Sequence, residues 1–536
     1  MRVQLKRLFS TTVLKKNTNQ AQGIAQYAID FLANGKPSAK VLERSKMFHT
    51  DSVLCGLSAL ALKTNAPHVL RNEALEFTLS KGSKLEAARV FGSNELVPLE
   101  KAIAANSSAV REWDSNGTVF GYANETGRKA GEFGHNDFYP VVIAASHVNQ
   151  NINGELALKA MVLQDEIRGR LCEVFSLKTY KIDHVVHGAI ASIATYGALV
   201  GATPLQIEHA IGMFVAHYIP WRAIRAGKQL SDSKGASAAL STEAAIMSIK
   251  RAIRGFVGPK DIFRNPEAIF RYFENTNGDS PFDITLSNSG DDFAVMGMHF
   301  KLGLYEHQSA GALEGLQKLI YESKFPTQFS LEDIENINIV AYEPAFGIIG
   351  DPAKKTPSTR QSADHSMVYI ISTILRKAYE IQGLGEKLGS FKNLDGLWKL
   401  LMLEPRDYGH QALFNEKTRA LMTKCTFSHG GKSYDEKYPE GIPSSLSISF
   451  KGGKKFESGF VMFPSGHSRN STANLQDILN HKNNLLGRLA LSENDLKEKL
   501  NLLNSIERAS NKDLQNLYSA KINLKKFSVD EAEFTD

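Results

Sequence analysis

The sequence predicts a mainly α-helical protein that carries an inserted α+β domain. The chain has 536 residues, 42% of them hydrophobic, which is enough for a large core and favours two domains. Helix-like segments dominate from Gln20 to about Phe273, and strand-like alternation begins only after Ser287. The segment after Ala473 is polar and helix-periodic again. These patterns predict a helical domain made from both ends of the chain, interrupted by a smaller mixed domain.

The helical part is indicated by segments that are apolar on most sides. Ala189–Gly201 and Pro204–Phe214 contain many small residues, which allow buried helices to approach one another closely. Thr203 followed by Pro204 fits an N-cap and the first residue of a helix. Further helix is expected over Ser237–Arg254.

The inserted part shows a mixture of patterns. Ile334–Tyr342 alternates in part like a strand, and Thr359–Ile381 is expected to form one long helix. Ser445–Phe450 and Phe456–Phe463 predict a hairpin with a Gly-Gly turn between them. The predicted boundaries are a leader over residues 1–19, a helical domain over 20–289, an α+β lid over 290–468 and a returning helical segment over 469–536.

The first nineteen residues have the composition of a mitochondrial transit peptide. They contain no acid, since the first acidic residue is Asp30, and they are rich in basic and hydroxyl residues. The sequence therefore predicts import into the mitochondrial matrix, with a disordered basic tail as the alternative interpretation.

Five of the positive charges behind the net charge of +6 lie in the first twenty residues, so the rest of the chain carries +1. This near-neutral body gives no support for nucleic-acid binding.

Several other classes of protein are disfavoured. No apolar run approaches the ~18 residues that a membrane span needs, so we expect a soluble protein without a membrane partner. The cysteines Cys55, Cys172 and Cys425 are isolated, which argues against zinc ribbons, thioredoxin motifs and a disulfide framework. The glycines of residues 383–389 are spaced one residue too far apart for a dinucleotide-binding turn, and they follow a helical pattern.

Two stretches in the helical part concentrate titratable residues within apolar or glycine-rich sequence. The first includes Asp114, Thr118 and His135, and the glycines around His135 suit a loop that presents side chains. Its alternative interpretation is a capped surface loop with solvated polar groups. The second contains His184 and His187 at the start of a small-residue helix. Either histidine could instead be a core residue with its hydrogen bonds satisfied.

Two further stretches add cations and histidines. Arg222 and Arg225 are three residues apart and can share a helical face, and Lys234 precedes a Gly/Ala/Ser helix into which it can pack deeply. The alternative is a solvated basic turn. The fourth group lies in the lid and includes Lys301, His307 and the segment from His365 to Tyr369, whose ends are expected on one helical face.

This set of residues suits an anionic substrate. Removal of water from a β-hydroxy acid needs a base for the carbon acid and an acid for the departing hydroxyl. It also needs cations and donors that hold the carboxylates and their developing charge. A metal site is not favoured, because no H-x-x-x-H motif occurs and His184 with His187 has no third ligand nearby in the sequence.

The stretches together resemble the 2-methylcitrate dehydratase group of the MmgE/PrpD family, especially its fungal mitochondrial members. The resemblance covers roughly residues 20–470 and includes several long segments in the same order. It implies a two-domain fold with a helical domain and a lid, a homodimer, and no metal or organic cofactor. The segments are GEFGHNDFYPVVIAA (131–145), DHVVHGAIAS (183–192), HYIPWRAIRAGKQLSDSKGASAA (217–239), GDDFAVMGMHFKLGLYEHQSAGA (290–312) and SADHSMVYI (362–370).

The family also includes cis-aconitate decarboxylases, and their active-site pattern implies site residues here. Either His184 or His187 fits the second motif, and His184 is preferred because the pair Asp183-His184 resembles the dehydratases. Arg222 and Arg225 are added as substrate-binding candidates. The matching positions are Asp114, Thr118, His135, His184, Lys234, Lys301, His307 and Tyr369.

The activity that the resemblance implies is dehydration of 2-methylcitrate to 2-methyl-cis-aconitate, a step of propionate breakdown in the methylcitrate cycle. The best-known hydro-lyases of tricarboxylic acids use an iron–sulfur cluster held by cysteines that are close in sequence. The isolated cysteines here predict a cluster-independent enzyme in which side chains move the protons. The alternatives are decarboxylation of cis-aconitate to itaconate and a catalytically dead binding protein with the same fold.

Overall fold

The structure, a computed structural model, describes residues 11–123, 127–225, 230–350, 354–526 and 528–530. Within them the chain is mostly helical with small sheets, so the predicted fold class is confirmed. The helices before residue 290 are α1 (Gln20–Asn34), α2 (Ala39–Ala61), α3 (Asn65–Glu76), α4 (Leu99–Arg111), α5 (Pro140–Val148), α6 (Gly154–Val174), α7 (Val185–Leu199), α8 (Pro204–His217), α9 (Asp232–Ile253) and α10 (Ile269–Phe273).

The later part of the chain alternates helices with strands. Its helices are α11 (Ala310–Ser323), α12 (Glu343–Ile349), α13 (Arg360–Ala363), α14 (Met367–Glu380), α15 (Leu384–Ser390), α16 (Asp395–Leu401), α17 (His410–Leu413), α18 (Glu416–Thr423), α19 (Lys432–Asp435), α20 (Leu475–Ala490), α21 (Glu493–Asn504) and α22 (Asn511–Gln515). The strands of the whole chain are β1 (Thr11–Leu14), β2 (Lys36–Pro37), β3 (Ala87–Arg89), β4 (Leu96–Pro98), β5 (Thr118–Phe120), β6 (Phe133–His135), β7 (Ile284–Ser287), β8 (Ser289–Gly290), β9 (Ile334–Ala341), β10 (Cys425–His429), β11 (Ser444–Phe450) and β12 (Lys455–Glu457).

The helical domain is built around α9, which packs against α4, α7 and α8. Small residues permit this packing: a Cβ atom at Gly197 of α7 would lie 2.6 Å from the side chain of Ile207 on α8. The predicted start of α8 is confirmed, because the Thr203 side chain accepts a hydrogen bond from the backbone N–H of Gln206 and Pro204 is the first helical residue.

A four-stranded sheet forms the centre of the lid, in the order β10-β9-β11-β12. Strands β9 and β10 are parallel, and the other two pairs are antiparallel. Buried residues recur along β9 in the near-alternating manner predicted from its sequence, and α11 packs against the sheet. The predicted hairpin is present as β11 and β12, although its second strand ends at Glu457 rather than Phe463.

The expected long helix over Thr359–Ile381 is wrong in one respect. The structure has two helices, α13 and α14, because the Ser366 side chain accepts a hydrogen bond from the backbone N–H of Tyr369 and caps a new helix. The break at residues 364–366 turns His365 and Tyr369 away from a common face. After the lid, α20 and α21 pack against α2 of the helical domain. None of the helices in the described part of the chain has the length and apolar character that a membrane span needs.

The predicted leader over residues 1–19 divides into two parts. Residues 1–10 lie outside the described residues, whereas residues 11–19 belong to the fold. Strand β1 pairs antiparallel with β7, and Leu14 is buried beside Gly23. The Asn19 side chain caps α1 and donates a hydrogen bond to Glu208 at 2.6 Å. The chain is therefore folded from Thr11 onward, and Asn19 is not a structural boundary.

Removing residues 1–19 is expected to lower the free energy of unfolding, because it deletes β1, the buried Leu14 side chain and the Asn19 cap. The loss should reach about 2–5 kcal/mol, the scale for removing a buried leucine side chain. Urea denaturation measures it, and a variant that lacks only residues 1–10 is the control, since it keeps all these contacts. Equal stability of the two truncated proteins would contradict the assigned role of β1.

Candidate active site

A cavity that is partly open to solvent lies between the helical domain and the lid. Binding sites for small molecules commonly occupy such clefts at domain junctions. The lid provides four of the lining residues. The described lining is Arg111, Asp114, Thr118, Phe120, Phe133, His135, His184, Arg222, Arg225, Leu230, Lys234, Glu306, Gln308, Lys354 and His365.

Asp114 is the most heavily bonded carboxylate of this cavity, and it is 1% exposed. Its Oδ1 atom accepts hydrogen bonds from Arg111 and from Lys301 Nζ, the latter at 2.6 Å. Its Oδ2 atom lies 3.4 Å from Lys234 Nζ and 3.0 Å from His365 Nε2. We call Asp114 with these four neighbours the Asp114 cluster.

The Asp114 cluster has a distinctive electrostatic balance. Burial alone would raise the pKa of Asp114, but Arg111, Lys234 and Lys301 hold it well below its ordinary value. Burial and Arg111 lower the pKa of Lys301, while Asp114 acts to raise it. Asp114 therefore remains a carboxylate that holds three cationic side chains at one end of the cavity.

The Asp114 cluster also contains a group of potential metal ligands. Atoms of Asp114, Asp364 and His365 lie within 4.8 Å of one another. Lys234 Nζ already lies 3.4 Å from Asp114 and 3.5 Å from Asp364. A divalent cation in this position would be repelled by that ammonium group and by Lys301, so this donor set fits lysine rather than a metal ion.

The β5–β6 hairpin places two predicted site residues side by side. Thr118 and His135 face each other across this antiparallel pair, so residues 119–134 form the hairpin arms and the connection between them. Burial lowers the pKa of His135 well below its ordinary value, with Arg111 and Lys301 adding to the effect. The His135 ring is therefore neutral and able to accept a proton. Its Nδ1 atom has no hydrogen-bond partner among the described residues.

His184 occupies the N-terminal end of α7, next to His135, with the ring centroids 5.0 Å apart. Arg225 pairs with the Asp183 carboxylate, and its Nη2 atom lies 3.1 Å from His184 Nε2. Because a guanidinium can only donate, His184 accepts at Nε2 and carries its proton on Nδ1. Burial is the main reason that the pKa of His184 is well below its ordinary value, and Arg225 contributes to this.

His187, the alternative to His184, is not in the cavity lining. It is fully buried, and its Nε2 atom lies 3.0 Å from the backbone carbonyl of Phe175. Arg222 and Arg225 form one turn of 3-10 helix and both line the cavity. The Nη1 atom of Arg222 is buried and has no hydrogen-bond partner within the described ranges.

Of the two adjacent lid residues Glu306 and His307, Glu306 lines the cavity, whereas His307 was the predicted site residue. His307 is buried and stacks on His299, with ring centroids 5.1 Å apart and nearly parallel planes. Glu306 caps the short turn 307–309, and its side chain points in a different direction from that of His307. The sequence alone therefore did not show which of the two lines the cavity. Glu306 Oε2 accepts a hydrogen bond from the backbone N–H of Gln308 at 2.8 Å.

Tyr369 is also placed away from the cavity, which corrects its expected role in completing the site. Its hydroxyl donates a hydrogen bond to the backbone carbonyl of Asp407 at 2.6 Å, and its ring packs near Tyr408. The helix break described above brings His365 to the site instead. His365 Nδ1 lies 2.5 Å from Asp364 Oδ1 while its Nε2 faces Asp114. The lining residues that the sequence did not single out as site residues are Arg111, Glu306, Gln308, Lys354 and His365, together with the apolar Phe120, Phe133 and Leu230.

Parts of the chain are similar to known proteins. Residues 22–280 match the MmgE/PrpD N-terminal domain. This part of the chain is therefore similar to the MmgE/PrpD family. The chain is 24% identical over 459 residues to a 2-methylcitrate dehydratase of Escherichia coli, covering 82% of this chain and 85% of that protein. A second Escherichia coli strain has a 2-methylcitrate dehydratase that is 23% identical over the same length and with the same coverage.

A fungal relative extends this comparison. An alkylcitrate dehydratase from Fungal sp. is 24% identical over 321 residues, covering 58% of this chain and 57% of that protein. The matched range contains seven of the predicted site residues: Asp114, Thr118, His135, His184, Arg222, Arg225 and Lys234. The other three, Lys301, His307 and Tyr369, follow this range, and none of them is in the described cavity lining, although Lys301 contacts Asp114.

Replacing Asp114 by Asn is expected to destabilise the fold, because Arg111, Lys234 and Lys301 would lose the carboxylate that they share. Breaking a buried ion pair costs about 3–5 kcal/mol, and urea denaturation measures the loss. Asp477→Asn is the control, since its partner Lys399 is partly solvent-exposed and such surface pairs contribute little. A loss for Asp114→Asn no greater than for Asp477→Asn would contradict the role given to the cluster.

Proposed function

We propose that this protein is a hydro-lyase that dehydrates 2-methylcitrate to 2-methyl-cis-aconitate without an iron–sulfur cluster. One observation carries the proposal: five cationic side chains and the neutral rings of His135 and His184 line one cavity. Cations in a poorly solvated cavity bind carboxylates strongly, and neutral imidazoles move protons. The five cations in the described lining are Arg111, Arg222, Arg225, Lys234 and Lys354.

The chemistry requires that a proton leave the carbon beside a carboxylate. We assign this abstraction to His135, because Nε2 of the other cavity histidine, His184, already accepts a hydrogen bond from Arg225. As the proton leaves, negative charge develops on the adjacent carboxylate, where Lys234 and the arginines stabilise it. Lys301 and Asp114 keep these cations in place, and Thr118 orients the substrate with its hydroxyl. His184 carries its proton on Nδ1 and serves as a hydrogen-bond donor in the same cavity.

The apolar lining supports a substrate with an alkyl group. Phe120, Phe133 and Leu230 lie in the same cavity as the cations, and a methyl group beside one carboxylate would contact such a surface. The names of the relatives, 2-methylcitrate dehydratase and alkylcitrate dehydratase, describe substrates of this kind. We further propose that the enzyme acts as a homodimer in propionate breakdown in the mitochondrial matrix.

The three cysteines support chemistry by side chains. Cys55 and Cys172 are fully buried, and burial raises the pKa of the Cys55 thiol to about 12. Cys425 is in the lid sheet, on strand β10, and burial likewise raises its pKa to about 12. None of the three lines the cavity described above, and none is activated as a thiolate ligand.

Incubation of the purified protein with 2-methylcitrate, citrate and cis-aconitate tests the function. Ultraviolet absorbance should report an unsaturated product from 2-methylcitrate, at a kcat/KM about 10–200-fold above that for citrate, the usual discrimination for one methyl group in an apolar pocket. A chelator should leave this rate unchanged. Itaconate from cis-aconitate as the main product would support a decarboxylase instead, and no product from any acid would support a binding protein.

His135→Ala and His184→Ala are expected to reduce kcat by about 10²-fold or more, because each removes a group that transfers or directs a proton. Lys234→Ala should raise KM through loss of a carboxylate contact. His187→Ala is the matched control: it should lower thermal stability, since the contact with Phe175 is lost, and leave kcat within a few-fold. Steady-state kinetics and a melting curve separate the two effects. An inactive His187→Ala enzyme beside an active His184→Ala enzyme would reverse the assignment.

A further inference from the structure

We propose that Glu306 donates the proton that converts the departing hydroxyl into water, an inference that rests on the proposed dehydration. The described lining contains two carboxyl groups, Asp114 and Glu306. Asp114 is held as an anion by the cations of its cluster, so it has no proton to give. Glu306 belongs to the lid and lines the same cavity as the helical-domain residue His135.

The structure holds Glu306 firmly in this place. Its Oε2 atom accepts the backbone N–H of Gln308 at 2.8 Å, and its own backbone N–H donates to the carbonyl of Asp364 at 2.9 Å. Asp364 in turn contacts Lys234 and His365, both of which line the cavity. The carboxyl group is thus fixed relative to the Asp114 cluster, as a proton donor in a defined geometry must be.

The surroundings of Glu306 favour its neutral form. Burial raises the pKa of Glu306 to about 7, and the negative charge of Asp114 adds to this, whereas Lys301, the N–H of Gln308 and Lys354 oppose it. The phenols of Tyr342 and Tyr438 also face it, and their pKa values are raised well above 10, so they carry no charge. Arg111 and His365 complete the titratable groups of the adjoining lining.

Binding of the substrate would load this acid with its proton. A tricarboxylate brings up to three negative charges into the cavity, and negative charge nearby raises the pKa of a carboxyl group. Glu306, partly protonated near pH 7 in the free enzyme, would be protonated in the complex. Glu306 would therefore be protonated when the substrate hydroxyl is in the cavity.

The step balances without an external reactant. His135 takes the proton from the carbon, the electron pair of that C–H bond forms the C=C bond, and the C–O bond breaks. The leaving oxygen takes the Glu306 proton and departs as water. Glu306 becomes a carboxylate and His135 an imidazolium, and both return to their starting states by exchange with solvent after the product leaves.

The other lid groups are less suited to this role. The ring of His307 lies against His299 rather than in the cavity lining. Both ring nitrogens of His365 face carboxylate oxygens, Nδ1 that of Asp364 and Nε2 that of Asp114. A proton on either nitrogen is directed at a carboxylate and away from a bound hydroxyl.

Glu306→Gln is the test, since glutamine keeps the acceptor for the Gln308 N–H but cannot supply the proton. In the unaltered enzyme kcat/KM should fall as pH rises through about 7, because Glu306 must be protonated in the free enzyme. The value of kcat should fall only at higher pH, because bound substrate keeps Glu306 protonated. In the variant neither parameter should show this fall at high pH, and kcat should be about 10⁻² to 10⁻⁴ of the normal value. Glu314→Gln is the matched control and should keep the normal profile. Glu314 is a partly buried lid glutamate that accepts a hydrogen bond from Trp398 Nε1.

Calorimetry with tricarballylate, which lacks the hydroxyl and cannot be dehydrated, tests the loading step independently. In buffers of different ionisation enthalpy, binding near pH 8 should take up about one proton in the unaltered protein and none in Glu306→Gln, with affinities within a few-fold. The proposal would be overturned if folded Glu306→Gln kept the normal fall of kcat/KM at high pH or still took up a proton. It would also be overturned if His307→Asn, rather than Glu306→Gln, lost these two properties. Absence of any dehydration by the unaltered enzyme would refute the proposed function, while the calorimetry would still decide whether Glu306 takes up the proton.

Discussion

The interaction on which this site depends is the pairing of the Asp114 carboxylate with Arg111, Lys234 and Lys301. Three buried cations cannot occupy one end of a cavity unless a carboxylate compensates them. Asp114 does so from a backbone with φ +50°, a region that non-glycine residues seldom adopt. The main-chain carbonyl of the same residue also accepts a hydrogen bond from Lys301. This local conformation is maintained because both the carboxylate and the carbonyl have fixed partners.

The Asp114 cluster also joins the two domains. Arg111 and Lys234 belong to helices of the helical domain, whereas Lys301 and His365 come from the part of the chain beyond residue 290. The helical domain therefore provides only part of the cavity lining, and the lid supplies Glu306, Gln308, Lys354 and His365. The set of site residues is complete only where the two domains meet, and reduced contact with water strengthens the charge interactions among them.

The sequence was most informative where several motifs resembled those of one family. Thr118, His135 and His184 were singled out in this way and line the cavity, although a loop rather than the β5–β6 hairpin was expected around His135. Sequence reasoning did not succeed where the direction of a side chain depends on one irregular turn. Glu306 rather than His307 reaches the cavity, and Ser366 starts a new helix that separates His365 from Tyr369. The composition of residues 11–19 likewise gave no indication that β1 would pair with a strand 270 residues later.

Under the proposed function, the cations that would bind the substrate also set the strength of the proposed acid and base. In the free protein Arg111 and Lys301 add to burial in lowering the pKa of His135, which keeps the ring neutral but makes it a weak base. A bound tricarboxylate offsets these positive charges, so the pKa of His135 rises when there is a proton to abstract. Its effect on Glu306 has the same sign and favours the protonated acid. The negative charge of the substrate would thus raise the pKa values of His135 and Glu306 together, and a ligand without carboxylates would raise neither.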